Sequence, residues 1–250
     1  MRIDVALLPN QRSDSSVSVC IVVDVLRASS SIVTLLECGA SPVLAACDID
    51  EARILHRRLP QHVLCGEKGG LPPEGFDYGN SPAAFSRLNL AGRGAILATS
   101  NGTRLLAALA GAPAVVAGCL LNRTAAAQAA LRIAGERGLD ITVVCSAAYG
   151  GSAFVLEDAL GAGAIVDAAI SINRSLEAQT ADAARFCRLA FLSAAPRLTE
   201  AVASSYHARE LTEAGFTDDV SYCARLDVSD IVPILDQAEN GALALLPYRP

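Results

Sequence analysis

Asp24 and Arg27 are the residues through which this sequence first reads as chemistry. They stand three apart in Val19-Cys-Ile-Val-Val-Asp-Val-Leu-Arg-Ala-Ser-Ser-Ser31, where an unbroken apolar run ends on a carboxylate and is followed by a guanidinium and three hydroxyls. A short, wholly apolar run reads as a strand buried on both faces, so Asp24 is expected at its carboxyl end, where open α/β sheets bind ligands. The segment Ser30–Cys38, with its hydroxyl-rich start and Gly39 stop, predicts a helix whose free N–H groups point back toward Asp24. That arrangement suits an anion held beside a cation. The plainer alternative is that Asp24 caps the strand-to-helix turn and Arg27 pairs with a surface carboxylate.

Three further loops carry similar chemistry. Gly66-Glu-Lys-Gly-Gly-Leu-Pro-Pro-Glu-Gly-Phe-Asp-Tyr-Gly-Asn-Ser-Pro82 is long for a connection inside a compact domain and offers Glu67, Lys68, Asp77, Asn80 and Ser81. Thr99-Ser-Asn-Gly-Thr103 follows an apolar run and opens a helix, and its hydroxyls, amide and free N–H groups make a phosphate cradle, although Asn-Gly is also a common turn. Ser146–Asp158 follows a third run and ends on Glu157 and Asp158, acids that the first turn of a helix favours in any case. Carboxylates, hydroxyls and amides without clustered His or Cys fit Mg²⁺ better than zinc. Cys145, at a strand end, has no His near it in sequence and reads as a buried apolar thiol more readily than as a nucleophile.

These loops need elements to hold them. Strands are expected at 19–23, 43–47, 63–65, 95–98, 114–118 and 141–145, alternating with helices at 30–38, 49–59, 103–109, 124–137 and 156–170. This is a βαβ series, hence an α/β fold of three layers, α/β/α, with a mainly parallel sheet whose loops open toward one end. From about residue 175 the pattern turns helical, over 177–192, 198–214 and 218–225, and 241–247 is expected as a last strand at one edge. No linker divides the chain, so residues 1–250 are read as one domain.

Composition narrows the function. Of the 250 residues 52% are hydrophobic, enough for a substantial core, and the net charge of −6 gives no footprint for nucleic acid. Trp is absent and aromatics are 4%, leaving few platforms for stacking bases or sugars. The eight cysteines are scattered without a Cys-x-x-Cys pair, which predicts reduced thiols. The start of the chain lacks signal-peptide organisation and no apolar stretch reaches spanning length, so a cytoplasmic protein without membrane attachment is expected. A homo-oligomer is left open.

Together the segments Val23–Ser30, Gly66–Pro82, Thr99–Thr103 and Cys145–Asp158 resemble the 2-phosphosulfolactate phosphatase family. Its members show, in this order, Val-Asp-Val-Leu-Arg-Ala-Ser/Thr-Ser, a Gly-Glu loop ending in Gly-Asn-Ser-Pro, Thr-Asn-Gly-Thr, and a Cys-to-Glu-Asp segment. The likeness covers most of residues 1–170. In the C-terminal part, 215–224 with Asp218 and Asp219 is similar in general layout. Two departures stand out. Ser100 replaces a Thr, keeping the hydroxyl, and Ser146-Ala147 replaces Ala-Gly, making that turn less permissive.

The resemblance implies a Mg²⁺-dependent phosphatase that releases phosphate from 2-phosphosulfolactate, a small anionic substrate, leaving 3-sulfolactate on a route to coenzyme M. In that reading Asp24, with Glu67 or Asp158, anchors the metal, and Arg27 with Ser29, Ser30 and Ser31 holds the phosphoryl group. Asn80, Ser81, Thr99, Asn101, Gly102 and Thr103 hold the remainder of the substrate. Positioning and charge neutralisation suffice for a loose phosphoryl-transfer transition state, so Asp24 and Arg27 act without a covalent intermediate and water is the nucleophile. Asp24 as a phosphorylated nucleophile would follow the haloacid dehalogenase superfamily, which places a second Asp two residues on, where this chain has Leu26. The alternative outside enzymology is a domain that captures a phosphorylated or sulfonated metabolite without hydrolysing it.

Overall fold

The computed structural model describes residues 1–12, 14–237 and 242–249. In chain order the elements are β1 (Ile3–Ala6), β2 (Ser18–Val23), α1 (Ala28–Glu37), β3 (Val43–Ala46), α2 (Ile49–Arg58), β4 (Val63–Gly66), α3 (Pro82–Phe85) and β5 (Ala95–Ala98). There follow α4 (Gly102–Ala108), β6 (Ala114–Gly118), α5 (Arg123–Arg137), β7 (Asp140–Cys145), α6 (Leu156–Ile172), α7 (Asp182–Ala194), α8 (Leu198–Ala203), α9 (Tyr206–Glu213), α10 (Thr217–Cys223), β8 (Pro233–Gln237) and β9 (Leu243–Pro247). The α/β class and the strand-helix alternation expected from the sequence hold through α6. No helix among the described residues is long and apolar enough to cross a membrane.

The strands form one sheet in the order β1-β7-β2-β6-β8-β9-β3-β5-β4. β2 sits inside it, parallel to both β6 and β7, and all six of its residues are buried. Its side chains divide by the period of two. Val19, Ile21 and Val23 join the core under α5, α6 and α7, while Cys20 and Val22 join the core around α1 and α4. Helix α1 is buried from Ala28 to Leu36, as befits a helix enclosed on all sides.

Two expectations change here. The final strand, expected at an edge, lies inside the sheet: β9 pairs with β3 on one side and with β8, a strand the sequence did not announce, on the other. Gly241, the expected start of that strand, lies outside the described residues. The second change concerns direction. The pairs β6·β8, β8·β9 and β9·β3 are all antiparallel, so β3, β5 and β4 run opposite to β1, β7, β2 and β6. Each half is wholly parallel, so the sheet is mainly parallel as expected, though mixed as a whole. The loops after β2 and β4 therefore do not leave one common edge of a flat sheet. They meet where the inner faces of both halves pack on α1 and α4 in one core that includes Val22, Val43, Cys65, Leu97 and Leu245.

The helical C-terminal stretch is also more broken than the pattern suggested. The expected helix 198–214 is interrupted at Ser204 and Ser205, where the Ser205 side chain caps α9 by accepting from Ala208 N–H at 3.1 Å. All eight cysteines are free thiols.

Candidate active site

The loops after β2, β4, β5 and β7, together with α9, enclose a cavity of about 330 Å³. Asp24 lies at its inner end and is buried. Its Oδ1 accepts from Ala28 N–H at 3.0 Å at the start of α1, so the capping reading of Asp24 holds alongside its place in the cavity. Burial pushes the Asp24 carboxyl upward, and the charge of Glu67 adds to this. The Ala28 N–H, the nearby Ser146 hydroxyl and His207 act the other way. Gly102, the first residue of α4, explains how the carboxylate fits: a Cβ there would stand 2.7 Å from Asp24 Oδ2 and would also collide with Ala28.

Arg27 lines the cavity while being buried. Its NH1 donates to Asp219 Oδ2 at 2.8 Å, with side-chain exposures of only 2% and 1%, its NH2 donates to the Gly70 carbonyl at 2.9 Å, and the guanidinium lies 4.4 Å from the Phe216 ring centroid. Asp219 is itself fixed, since its Oδ1 accepts from Ser81 Oγ at 2.6 Å and from Ala83 N–H at 3.0 Å. A guanidinium held from three directions keeps one orientation. Glu67 ties two loops together by accepting from Ser100 N–H at 2.6 Å, Ser100 Oγ at 3.1 Å and Gly70 N–H at 2.8 Å.

Of the residues singled out in the sequence, Asp24, Arg27, Glu67, Asn80, Thr99 and Asn101 line this one cavity. Asn80 Oδ1 accepts from Ser31 Oγ at 2.5 Å, and Asn101 Oδ1 accepts from Gly150 N–H at 2.9 Å. The other residues singled out for substrate contact are not among those lining the cavity. The hydroxyls of Ser29 and Ser30 donate to the carbonyls of Val22 and Val25, Ser31 serves Asn80, Ser81 serves Asp219, and Thr103 is buried in reciprocal bonds with Thr99. These side chains build the walls, because a helix start buried beneath a sheet must satisfy its own polar groups first. Gly102 acts through the space it leaves.

Asp158 is likewise not among the residues lining the cavity. Its Oδ1 accepts from Val25 N–H at 2.9 Å and its Oδ2 from Ala147 N–H at 3.1 Å, so it braces the β2 and β7 loops from behind. Burial drives its carboxyl well above the ordinary range, with the charges of Asp24 and Glu157 adding to the effect. Ala147, where the family pattern has Gly, adopts φ 61°, the left-handed region that glycine favours. Asp77 accepts from Leu64 N–H at 2.8 Å and Lys68 sits on the outer side of its loop, both away from the cavity. The Cys145 thiol is pushed well above its usual value by burial, which suits an inert core thiol.

The sequence reading missed the contribution of α9. His207 and Glu210 line the cavity opposite Asp24, and Tyr149, 64% exposed, closes that side with its hydroxyl 3.4 Å from Glu210 Oε1. The signal was faint: one of only three histidines, on a short helix remote in sequence from every motif. The role of Asp219 as the buried partner of Arg27 was likewise not evident.

The donor set bears on which ion could bind. Asp24, Glu67 and Glu210 place three carboxylates around the cavity against the single guanidinium of Arg27, which Asp219 already faces. An anion entering such a cavity meets net repulsion unless a cation enters with it. Among the described residues no group of three His, Cys, Asp or Glu side chains is placed to hold a metal on its own. Two carboxylates sharing a cation with water and phosphate oxygens is the usual manner of Mg²⁺, and Asp24 with Glu67 fits it.

Comparison with known proteins agrees with this architecture. The family model described as 2-phosphosulpholactate phosphatase matches residues 6–238. A protein of Pseudothermotoga lettingae named probable 2-phosphosulfolactate phosphatase is 38% identical over 93% of this chain and 95% of its own length. One of Deinococcus radiodurans with the same name is 36% identical over 98% and 99%, and one of Synechococcus is 38% identical over 89% and 88%. The coverage of both partners is nearly complete, and the chain belongs to the 2-phosphosulpholactate phosphatase family.

Proposed function

We propose that this protein hydrolyses the phosphomonoester of 2-phosphosulfolactate, or of a closely related phosphorylated hydroxy acid, to 3-sulfolactate and phosphate, and that it does so with Mg²⁺. The observation that carries the reading is the convergence of Asp24, Glu67 and the fixed Arg27 on one cavity of substrate size. The names of the relatives supply the substrate. Arg27, pre-oriented by Asp219 and Gly70, offers its remaining N–H groups to phosphoryl oxygens without having to reorganise. Asp24 and Glu67 would hold the cation, which when bound supplies positive charge to the transferring phosphoryl group. Asn80, Thr99 and Asn101 line the same cavity and offer neutral polar groups to the remainder of the substrate.

The test is release of inorganic phosphate from 2-phosphosulfolactate. Turnover should vanish in EDTA and return on adding Mg²⁺. Binding of phosphorylated hydroxy acids with no phosphate released from any of them would instead make the protein a capture domain and overturn the proposal.

A further inference from the structure

Hydrolysis of an alkyl phosphomonoester makes a demand at the leaving oxygen that the fixed guanidinium of Arg27 does not meet. The leaving oxygen departs from phosphorus still bound to an alkyl carbon, as a strongly basic alkoxide, so a proton delivered to it as the P–O bond breaks eases its departure. Asp24 and Glu67 are committed to the cation in the reading above, and Arg27 cannot give up its proton. The Tyr149 hydroxyl is pushed further from acidity by slight burial and by the charge of Glu210. His207 remains. It is the one histidine of three that lines the cavity, since His56 lies on α2 and His62 just before β4.

Its setting is built. Ser205 caps α9 and fixes where the helix begins, Ala208 is buried, and one turn on, Glu210 Oε2 lies 3.2 Å from His207 Nδ1. A carboxylate on Nδ1 fixes the tautomer and the ring plane, leaving Nε2 as the nitrogen that exchanges a proton with a ligand. We infer that His207 is the proton donor to the leaving oxygen, with Glu210 as its positioning residue. The inference rests on the phosphomonoesterase reading above.

The step balances without any co-reactant. The ester P–O bond breaks with its electron pair remaining on the substrate oxygen, which takes the Nε2 proton. The oxygen of a water molecule forms the new bond to phosphorus. One of its protons stays on the hydrogenphosphate and the other passes to solvent, from which the imidazole is reprotonated.

The experiment compares leaving groups. His207→Gln and wild type are assayed on 2-phosphosulfolactate, on glycerol 2-phosphate as a second alkyl ester, and on p-nitrophenyl phosphate, whose phenolate leaves without a proton. The variant should lose about 10²-fold in kcat on the alkyl esters, at least tenfold more than it loses on the aryl ester, with KM changed much less. Glu210→Gln should show the same bias at smaller size. Equal losses on all three substrates, or no loss, would overturn the assignment. If wild type hydrolyses glycerol 2-phosphate and p-nitrophenyl phosphate but not 2-phosphosulfolactate, the substrate reading fails while the ratio still decides the role of His207. A wild type inactive on all three overturns both.

Discussion

Replacing Gly102 with Ala tests whether the first turn of α4 is shaped around the Asp24 carboxylate. The added Cβ would lie 2.7 Å from Asp24 Oδ2, where ordinary contact begins near 3.4 Å, a shortfall of about 0.7 Å. On the other side it meets the Ala28 side chain, which is buried and packed at the start of α1, so neither neighbour can yield alone. Overpacking of this kind costs about 1–3 kcal/mol. The better helix propensity of Ala recovers at most about 1 kcal/mol, and less at a first helical position. A displacement approaching 1 Å at a catalytic carboxylate costs up to about 10²-fold in rate. Gly102→Ala should therefore melt measurably lower and, on the proposed function, turn over roughly ten- to a hundredfold more slowly and need more Mg²⁺. Gly111→Ala is the control: nothing lies within 4 Å of the added Cβ, and both stability and turnover should stay near wild type. Wild-type melting and turnover in Gly102→Ala would refute the fitted relation between α4 and Asp24.

Two other perturbations probe the buried charges. Asp219→Asn removes the partner of a guanidinium that is itself buried, which should cost about 3–5 kcal/mol, and millimolar inorganic phosphate should raise the melting temperature of this variant more than that of wild type. An equal phosphate response in both would show that Arg27 does not face the anion site. Glu157 is 1% exposed and its Oε2 has no hydrogen-bond partner, so burial, with the charge of Asp24 adding to it, raises its carboxyl above the ordinary value. A raised folded-state value means that its contribution to stability is complete below the unfolded carboxylate value near 4.5 and is lost as pH rises through the folded value. Glu157→Gln should gain in melting temperature over wild type at pH 8 more than at pH 5, and a pH-independent difference would contradict this.

Much of the fold could be read from local pattern because the parallel strands are short, mostly apolar and bounded by turns. The runs at Ala95–Ala98 and Ala114–Gly118 match the observed strands residue for residue. Asp24 stood out because a charge directly after such a run has few purely structural uses. What was not legible depends on pairing over long sequence distance. β8 contains Pro233 and carries polar residues at its end, and nothing local says that β8 and β9 insert between β6 and β3 and thereby reverse the direction of a half-sheet. The serines after Arg27 drew attention as ligands, yet their hydroxyls serve carbonyls that only the buried environment leaves in need of donors. His207 and Glu210 lacked a motif altogether. Their significance comes from the position of α9 over the cavity, which no spacing within the helix encodes.

The placement of β8 and β9 also bears on how the molecule is made. These two strands follow every other element in the sequence, yet they alone join the β1-β7-β2-β6 half to the β3-β5-β4 half. A chain emerging from the ribosome therefore carries two half-sheets with unpaired rims at β6 and β3 until β8 and β9 arrive. Such rims invite intermolecular pairing. Chaperone dependence and ribosome-bound aggregation should concentrate in this interval.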